Sequence, residues 1–417
     1  LSKVKSKQDS YSFVDSVMAT PLPTYGFDYS LVRNPDIDTA YNALITYVIP
    51  GSPAAQAGLE RGDWIMKVDT SYISKKYETY LLQGTKAVKL TLGEWKEVEI
   101  EDEEDGNEGG DGEDEGPTME YRVVPIDDPV EMPAAQIVED NPVHKYEIIE
   151  SPVKKIRVGY LMYNSFTAGT KAEPEKYNNE LRSVSQKFKE AGVQAVILDL
   201  RYNEGGSMDC VQLLGTILTS ADRLGEPMAY LEYNDKNTDK DATILFGTDR
   251  EINLNLHSLI AITSGTTMGA PEMLIRSLFL EDTYPIATVG SSTKGQNVAT
   301  EQFINEEFLW SVNPVVCTVY NSQHDTYGAI SPATDLKVSE TTIDGSTNYS
   351  EFLPFGTFDK DGKSERLLKI AIGVLDGTYP PKDDETPEES TPQTRFKVEK
   401  SVSSPASRRF SSKGLRL

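Results

Sequence analysis

The chain has 417 residues, 38 % of them hydrophobic and 26 % charged, with a formal net charge of −25 and a pI near 4.6. That length gives room for two or three domains with proper cores. The acidic balance makes nucleic acid and anionic membrane surfaces poor partners, and no apolar stretch approaches the ~20 residues of a membrane span.

Two cysteines, Cys210 and Cys317, do not make a disulfide framework and read as small core residues. Residues 1–20 form a polar N-terminal segment with an aromatic cluster at Tyr11-Ser12-Phe13. Thr24–Tyr29 alternates like a strand around Gly26, and Leu44–Ile49 reads as another strand closed by Pro50-Gly51. Ser52–Leu59 is a short helix with Pro53 in its first turn and Gly58 at its end. Arg61–Asp69 then supplies a turn and a strand.

Val88–Leu92, Glu97–Ile100 and Tyr121–Val124 continue as strands. Between the last two lies Glu101–Gly116, with ten carboxylates and five glycines in sixteen residues and no apolar side chain, which reads as a mobile hairpin loop. A calcium loop is the alternative, but the spacing D-x-[DN]-x-[DN]-G is absent. Asp127–Val153 is punctuated by prolines and reads as a linker carrying His144.

A second domain begins with the strand Ile156–Tyr163. Pro174–Ala191 is an amphipathic helix, with Tyr177, Leu181, Val184, Phe188 and Ala191 at spacings of three and four. Ala195–Leu200 is a short apolar strand that runs through Arg201 into Gly205-Gly206, after which Val211, Leu213 and Leu214 begin a helix. Such a strand–glycine–helix turn aims backbone N–H groups at one point, a place for negative charge such as a phosphate or an oxyanion. No G-x-x-x-x-G-K-[ST] is present, which argues against a phosphate cradle. Ser258–Thr263 and Ile286–Val289 are further strands, Ala270–Leu280 and Leu367–Leu375 further helices. Alternation of strands and helices implies an α/β domain with a largely parallel sheet. From Pro380 the chain turns acidic, then basic and serine-rich, which reads as a disordered tail or a separate short element.

The order Ser52-Pro53-Ala54-Ala55, Ala57-Gly58-Leu59, Gly62-Asp63, Ile65 and Val68-Asp69 resembles a PDZ domain, with Tyr25-Gly26-Phe27 where that family's carboxylate-binding loop lies. Followed by VGYLMYNSF, DLRYNEGG, a helix start with Glu272, GSSTKGQN and YGAISPATDLKV, the series resembles the C-terminal processing (tail-specific) serine proteases, in their Bacteroides-like form. The resemblance implies a ClpP/crotonase-like α/β core with a mixed sheet plus a β-rich PDZ domain. It sets an N-terminal segment at 1–20, the PDZ domain at 21–127 with its insert at 101–116, a linker at 128–155, the catalytic domain at 156–380 and a tail at 381–417.

The same resemblance implies a Ser–Lys dyad: a serine at a helix start, a neutral lysine as base, and an oxyanion hole of backbone N–H groups. Here the motif S-A-S-E reads Gly269-Ala270-Pro271-Glu272, so the nucleophile position is Gly269. The motif G-E-T-T-x-G-K-N-V reads Gly290 to Val298, which puts Gln296 at the base position. Gly205, Gly206 and Ala270 would form the oxyanion hole. A second alignment makes Lys294 the base, with Ser264, Thr266 or Thr267 as displaced nucleophile. His144, His257 and His324 follow no nucleophile motif, Glu272 reads as a carboxylate at a helix start, and Asp282 as a loop carboxylate.

Three readings follow: a homologue that binds peptide or protein C-termini with a degenerate dyad; a working peptidase using Lys294; or a structural partner in an envelope complex. No cofactor or metal is implied. The opening residue is Leu1, and the expectation is a periplasmic or secreted protein, lipid-anchored or not, whose leader has been removed.

Overall fold

The computed structural model describes residues 11–16, 21–100, 118–305, 307, 310–338, 346–348, 352–359, 364–380, 395–409 and 413–417. The first domain is an antiparallel sheet. Its central strands, Phe27–Arg33 and Ala40–Val48, are rich in aromatic and branched side chains and almost wholly buried. Ser71–Ser74, Trp64–Val68, Val88–Ile100 and Thr118–Pro125 complete it. The helix Pro53–Gln56 is short for a local reason: the Ser52 hydroxyl caps it by accepting from the Ala55 N–H, and Gly58, at a φ of 79°, takes the chain out of it. Val88–Ile100 and Thr118–Pro125 stay paired to the last residue, Ile100 opposite Thr118. The acidic insert 101–116 lies outside the described residues.

The second domain is layered. Ile286–Gly290, Leu259–Thr263, Ala195–Asp199 and Arg157–Tyr163 pair in parallel, and Val143–Glu150 joins antiparallel at the edge. The sheet is therefore mixed. Successive residues of a strand face opposite ways: Leu161 and Leu198 pack with helices Lys176–Glu190, Met208–Leu218 and Ala270–Leu278, while Tyr160 and Ile197 pack under Arg366–Asp376.

Two expectations need correction. Residues 128–155 are more than a linker: Val130–Met132 pairs with Val88–Leu90, and Val143–Glu150 is the edge strand of the second sheet. Flanking prolines and the charged residues among its alternate positions, which an edge strand tolerates, hid it. The tail is also structured where it is described. Arg395–Val402 pairs antiparallel with Phe27–Arg33, Tyr29 opposite Val402, and Gly414–Arg416 is a strand in the second domain. Between them the Ser404 N–H donates to Asp28 (2.6 Å), Arg409 pairs with Asp28 (2.9 Å), and the Arg408 N–H donates to Asp140 (2.5 Å). This segment is held largely by polar pairing to the buried carboxylates Asp28 and Asp140, which hydrophobic periodicity cannot register.

Candidate active site

The strand Ala195–Asp199 ends on a buried ion triad. Arg201, 1 % exposed, reaches Asp199 at 2.7 Å and Glu365 at 2.8 Å, and the Tyr160 hydroxyl donates to Asp199 at 2.8 Å. Burial pushes the Glu365 carboxyl up, but the Arg201 guanidinium and its hydrogen bonds outweigh that and hold it below its ordinary value. Glu365 is also the cap of helix Arg366–Asp376, accepting from the Leu368 N–H. The triad thus ties the turn after the strand to the helix on the far face. Sequence reading missed its role, although charged residues directly after a fully apolar run were the available signal.

Beyond the triad the turn is built from Asn203, which is fully buried, donates to the Tyr163 carbonyl (2.8 Å) and accepts from the Gly205 N–H (2.9 Å). Gly205 and Gly206 lie at φ of 119° and 134°, where only glycine is comfortable. A Cβ on Gly206 would stand 2.2 Å from the Phe166 carbonyl oxygen, and one on Gly205 2.0 Å from that of Gly414. These two glycines therefore allow backbone to approach from both sides.

Helix Ala270–Leu278 begins at Gly269, φ 71° and ψ −103°, with Pro271 in its first turn. Glu272, completely buried, accepts from the N–H groups of Gly269 (2.8 Å), Gly295 (2.5 Å) and Gln296 (2.8 Å), and from the Thr293 hydroxyl. Burial pushes this carboxyl up against the pull of those four donors. It clamps the helix start to the Thr293–Gln296 loop, so the Gly269 and Gln296 positions are brought together. A Cβ on Gly269 would lie 2.3 Å from Gln296 Oε1. Gln296 is 1 % exposed, and that oxygen has no hydrogen-bond donor.

Lys294 is elsewhere: its N–H donates to the Thr267 carbonyl at 3.0 Å and its side chain is exposed; burial pushes the nearby Glu204 carboxyl up, with the Lys294 charge only partly opposing it. The Ser264 and Thr266 hydroxyls donate to the Arg201 carbonyl, and that of Thr267 to the Leu200 carbonyl at 2.9 Å. Burial pushes both thiols, Cys210 and Cys317, up to about 12. His144 is half-buried with its Nδ1 enclosed, lies over Tyr47 at 4.3 Å and is pushed down by desolvation to about 3, so it is neutral. His324 bonds Glu232 at 2.8 Å, while His257 and Asp282 are exposed. Among the described residues no group of three His, Cys, Asp or Glu could hold a metal ion.

A backbone strand also lies in this site. Gly414–Arg416 runs parallel between Gly205–Ser207 and Val298–Thr300, completing a six-stranded sheet. The Gly414 N–H donates to the Glu204 carbonyl (2.6 Å) and the Leu417 N–H to that of Thr300 (3.0 Å). With Gly205 opposite Gly414 in that ladder, the next N–H along, that of Gly206, is turned onto the Gly414 carbonyl. The Gly205-Gly206 turn thus meets the Gly414 carbonyl, with Gly269, which has no side chain, beside it.

Tyr25, Gly26 and Phe27 stand apart from it, all buried in the first domain. The Gly26 N–H donates to Thr24 Oγ1 (3.1 Å), which bonds Ser404 Oγ (2.9 Å), while the Tyr25 hydroxyl donates to the Lys86 carbonyl. The strand that starts at Phe27 is paired on both edges, by Ala40–Val48 and by Arg395–Val402.

Comparison with known proteins bears on both domains. Residues 157–312 match peptidase family S41, and residues 44–91 match a PDZ domain. An S41 protease structure from Bacteroides fragilis NCTC 9343 is 39 % identical, covering 90 % of this chain and 88 % of that one, with a TM-score of 0.74. A photosystem II D1 C-terminal processing protease is 16 % identical over 81 % of this chain and 80 % of its own, TM-score 0.40. A lipoprotein from Streptococcus agalactiae is 18 % identical over 45 % and 63 %, TM-score 0.35. No curated protein sequence matches the chain significantly. Among the described residues no helix is long and apolar enough to cross a membrane.

Proposed function

The chain belongs to peptidase family S41 and carries a PDZ domain, and we propose that within this family it is a tail-specific protease homologue that binds peptide ends without cutting them. The observation that carries this is the pair Gly269 and Gln296. Acyl transfer needs an oxygen nucleophile at the helix start and a neutral amine beside it. This chain has a glycine and a buried amide there, while the carbonyl-holding turn at Gly205-Gly206 is intact in form. The unpartnered Gln296 Oε1 faces the space that a side chain at residue 269 would enter, so the two changes fit each other.

The second reading, a live peptidase with Lys294 as base, has less support. Lys294 is exposed, and the hydroxyls of Ser264, Thr266 and Thr267 are committed to the backbone carbonyls of residues 200 and 201. A fluorophosphonate probe tests both: the proposal expects no labelling, and labelling that Lys294→Ala abolishes would replace it with the second reading.

PDZ-type capture of a free C-terminus near Tyr25, Gly26 and Phe27 is the other half of the proposal. A peptide adding to Phe27–Arg33 would compete with the resident Arg395–Val402 strand. Amidating the peptide's terminus should weaken binding by ~1.5–3 kcal/mol, the range for hydrogen bonds to a charged group; equal affinity for both forms would remove this half. We place the protein in the periplasm or outside the cell, with an envelope protein among its candidate partners.

A further inference from the structure

Residues 414–417 lie where a substrate would lie. A Cβ on Gly269, the atom from which a nucleophile would hang, would stand 2.7 Å from the carbonyl carbon of Gly414 and 2.5 Å from the nitrogen of Leu415. The peptide bond presented to the vacant nucleophile position is therefore Gly414–Leu415. Its carbonyl faces the Gly205-Gly206 turn, as a carbonyl under attack would face an oxyanion hole.

We propose that Gly414–Leu417 is a peptide ligand carried in cis, and that the cleft it fills takes extended peptides with glycine followed by leucine. This rests on reading the cleft as a peptide site. Each position of the segment supports it. At Gly414, φ is 79° and a Cβ would meet the Gln296 amide at 2.3–2.4 Å, so that subsite favours glycine. Leu415 is 1 % exposed and joins the main core cluster, which gives the segment one apolar anchor. Thr300 holds its backbone from the other side, its hydroxyl donating to the Leu415 carbonyl (3.2 Å) and its carbonyl accepting from the Leu417 N–H. Leu417 is 41 % exposed, so the groove opens to solvent there.

The arrangement also has the form of a removable part. The segment is a three-residue strand, and its partners Gly205–Ser207 and Val298–Thr300 do not pair with each other. Upstream, Ser404, Ser407, Arg408 and Arg409 fasten the chain to Asp28 and Asp140. The ligand is thus tethered a few residues from its site, at a high effective concentration that keeps a competitor out.

The test uses the full chain, the variant Leu415→Asp, and a fluorescent peptide Ser-Lys-Gly-Leu-Arg-Leu copied from residues 412–417. The proposal expects the variant to bind this peptide at least about 30-fold more tightly than the unmodified chain does, and neither to bind a copy with aspartate in place of its first leucine, the one copied from Leu415. Equal affinity of the two chains would overturn cis occupancy, and a folded variant that does not bind would overturn the ligand assignment. Should the variant not fold, hydrogen exchange on the unmodified chain decides: excess peptide should speed exchange at the Leu415 and Leu417 amides, and no change overturns the proposal. The peptide's mass is read after each run. Cleaved peptide would contradict the loss of hydrolysis while leaving occupancy standing, so the two failures are distinguishable.

Discussion

Gly269 and Gln296 stand so close that a Cβ on the glycine would lie 2.3 Å from the amide oxygen. Residue 269 is thus closed in as well as bare of a side chain. Gly269→Ala should destabilise the protein by about 2–3 kcal/mol, since it meets Gln296 and the Leu415 backbone and puts a side chain at a φ of 71°. Thermal unfolding with hydrogen exchange checks this, and the Leu415 amide should lose protection first. An unchanged midpoint and unchanged exchange would show that the site has slack the distances deny.

Arg201→Met should cost about 3–5 kcal/mol in denaturant unfolding, because it strands Asp199 and Glu365 without their partner in a dry site. The pH dependence has a definite sign. Glu365 is held below its ordinary value in the folded state, so its contribution is present above the unfolded pKa and is lost as acid titrates it through the lower folded one. The variant should lose that acid-side slope; retaining both stability and slope would show the triad to be inert.

Asp140 behaves oppositely. Burial, working against hydrogen bonds from the Arg408 N–H and the Tyr47 hydroxyl, raises its carboxyl to about 7. The folded chain then holds this proton more tightly than the unfolded one, so the group favours folding at low pH and that gain disappears as pH rises from about 4 through 7. Asp140→Asn should remove this decline, worth a few kcal/mol at most, since one pKa unit corresponds to ~1.4 kcal/mol. Unfolding curves at about pH 5 and pH 8, on either side of the folded pKa, measure it; an equal decline in both proteins would assign it to other groups.

Much of this fold was legible because apolar pattern carried it. The strand at Ala195 and the helices at Tyr177 and Ala270 stand within a few residues of where periodicity put them. Gly269 and Gln296, which the register of Ala270, Glu272, Gly290 and Gly295 singles out in the sequence, stand side by side in the fold. What escaped were polar and long-range devices. Arg201 finds Glu365 across 164 positions, and Arg409 finds Asp28 from the opposite end of the chain. Gly414-Leu415 has no local pattern, since a three-residue strand takes its conformation from the edges it joins.

The acidic insert should be dispensable. Its flanking strands are paired through Ile100 and Thr118, so a short Gly-Ser turn in place of residues 101–116 should change stability by less than about 1 kcal/mol. A large fall in the thermal midpoint in metal-free buffer would contradict this, and a calcium-dependent rise lost with the insert would establish the metal loop instead.

The most direct test of the central claim is turnover by the unmodified chain. With Gly269 and Gln296 in place, binding and backbone donors alone leave at most ~10³–10⁴-fold over water, too slow to see against a peptide bond. Incubated with an unstructured protein substrate and followed by mass spectrometry, the chain should leave it intact, and Gly269→Ser alone should do the same because Gln296 cannot take the proton. Clear hydrolysis by the unmodified protein, abolished by Lys294→Ala, would contradict the account.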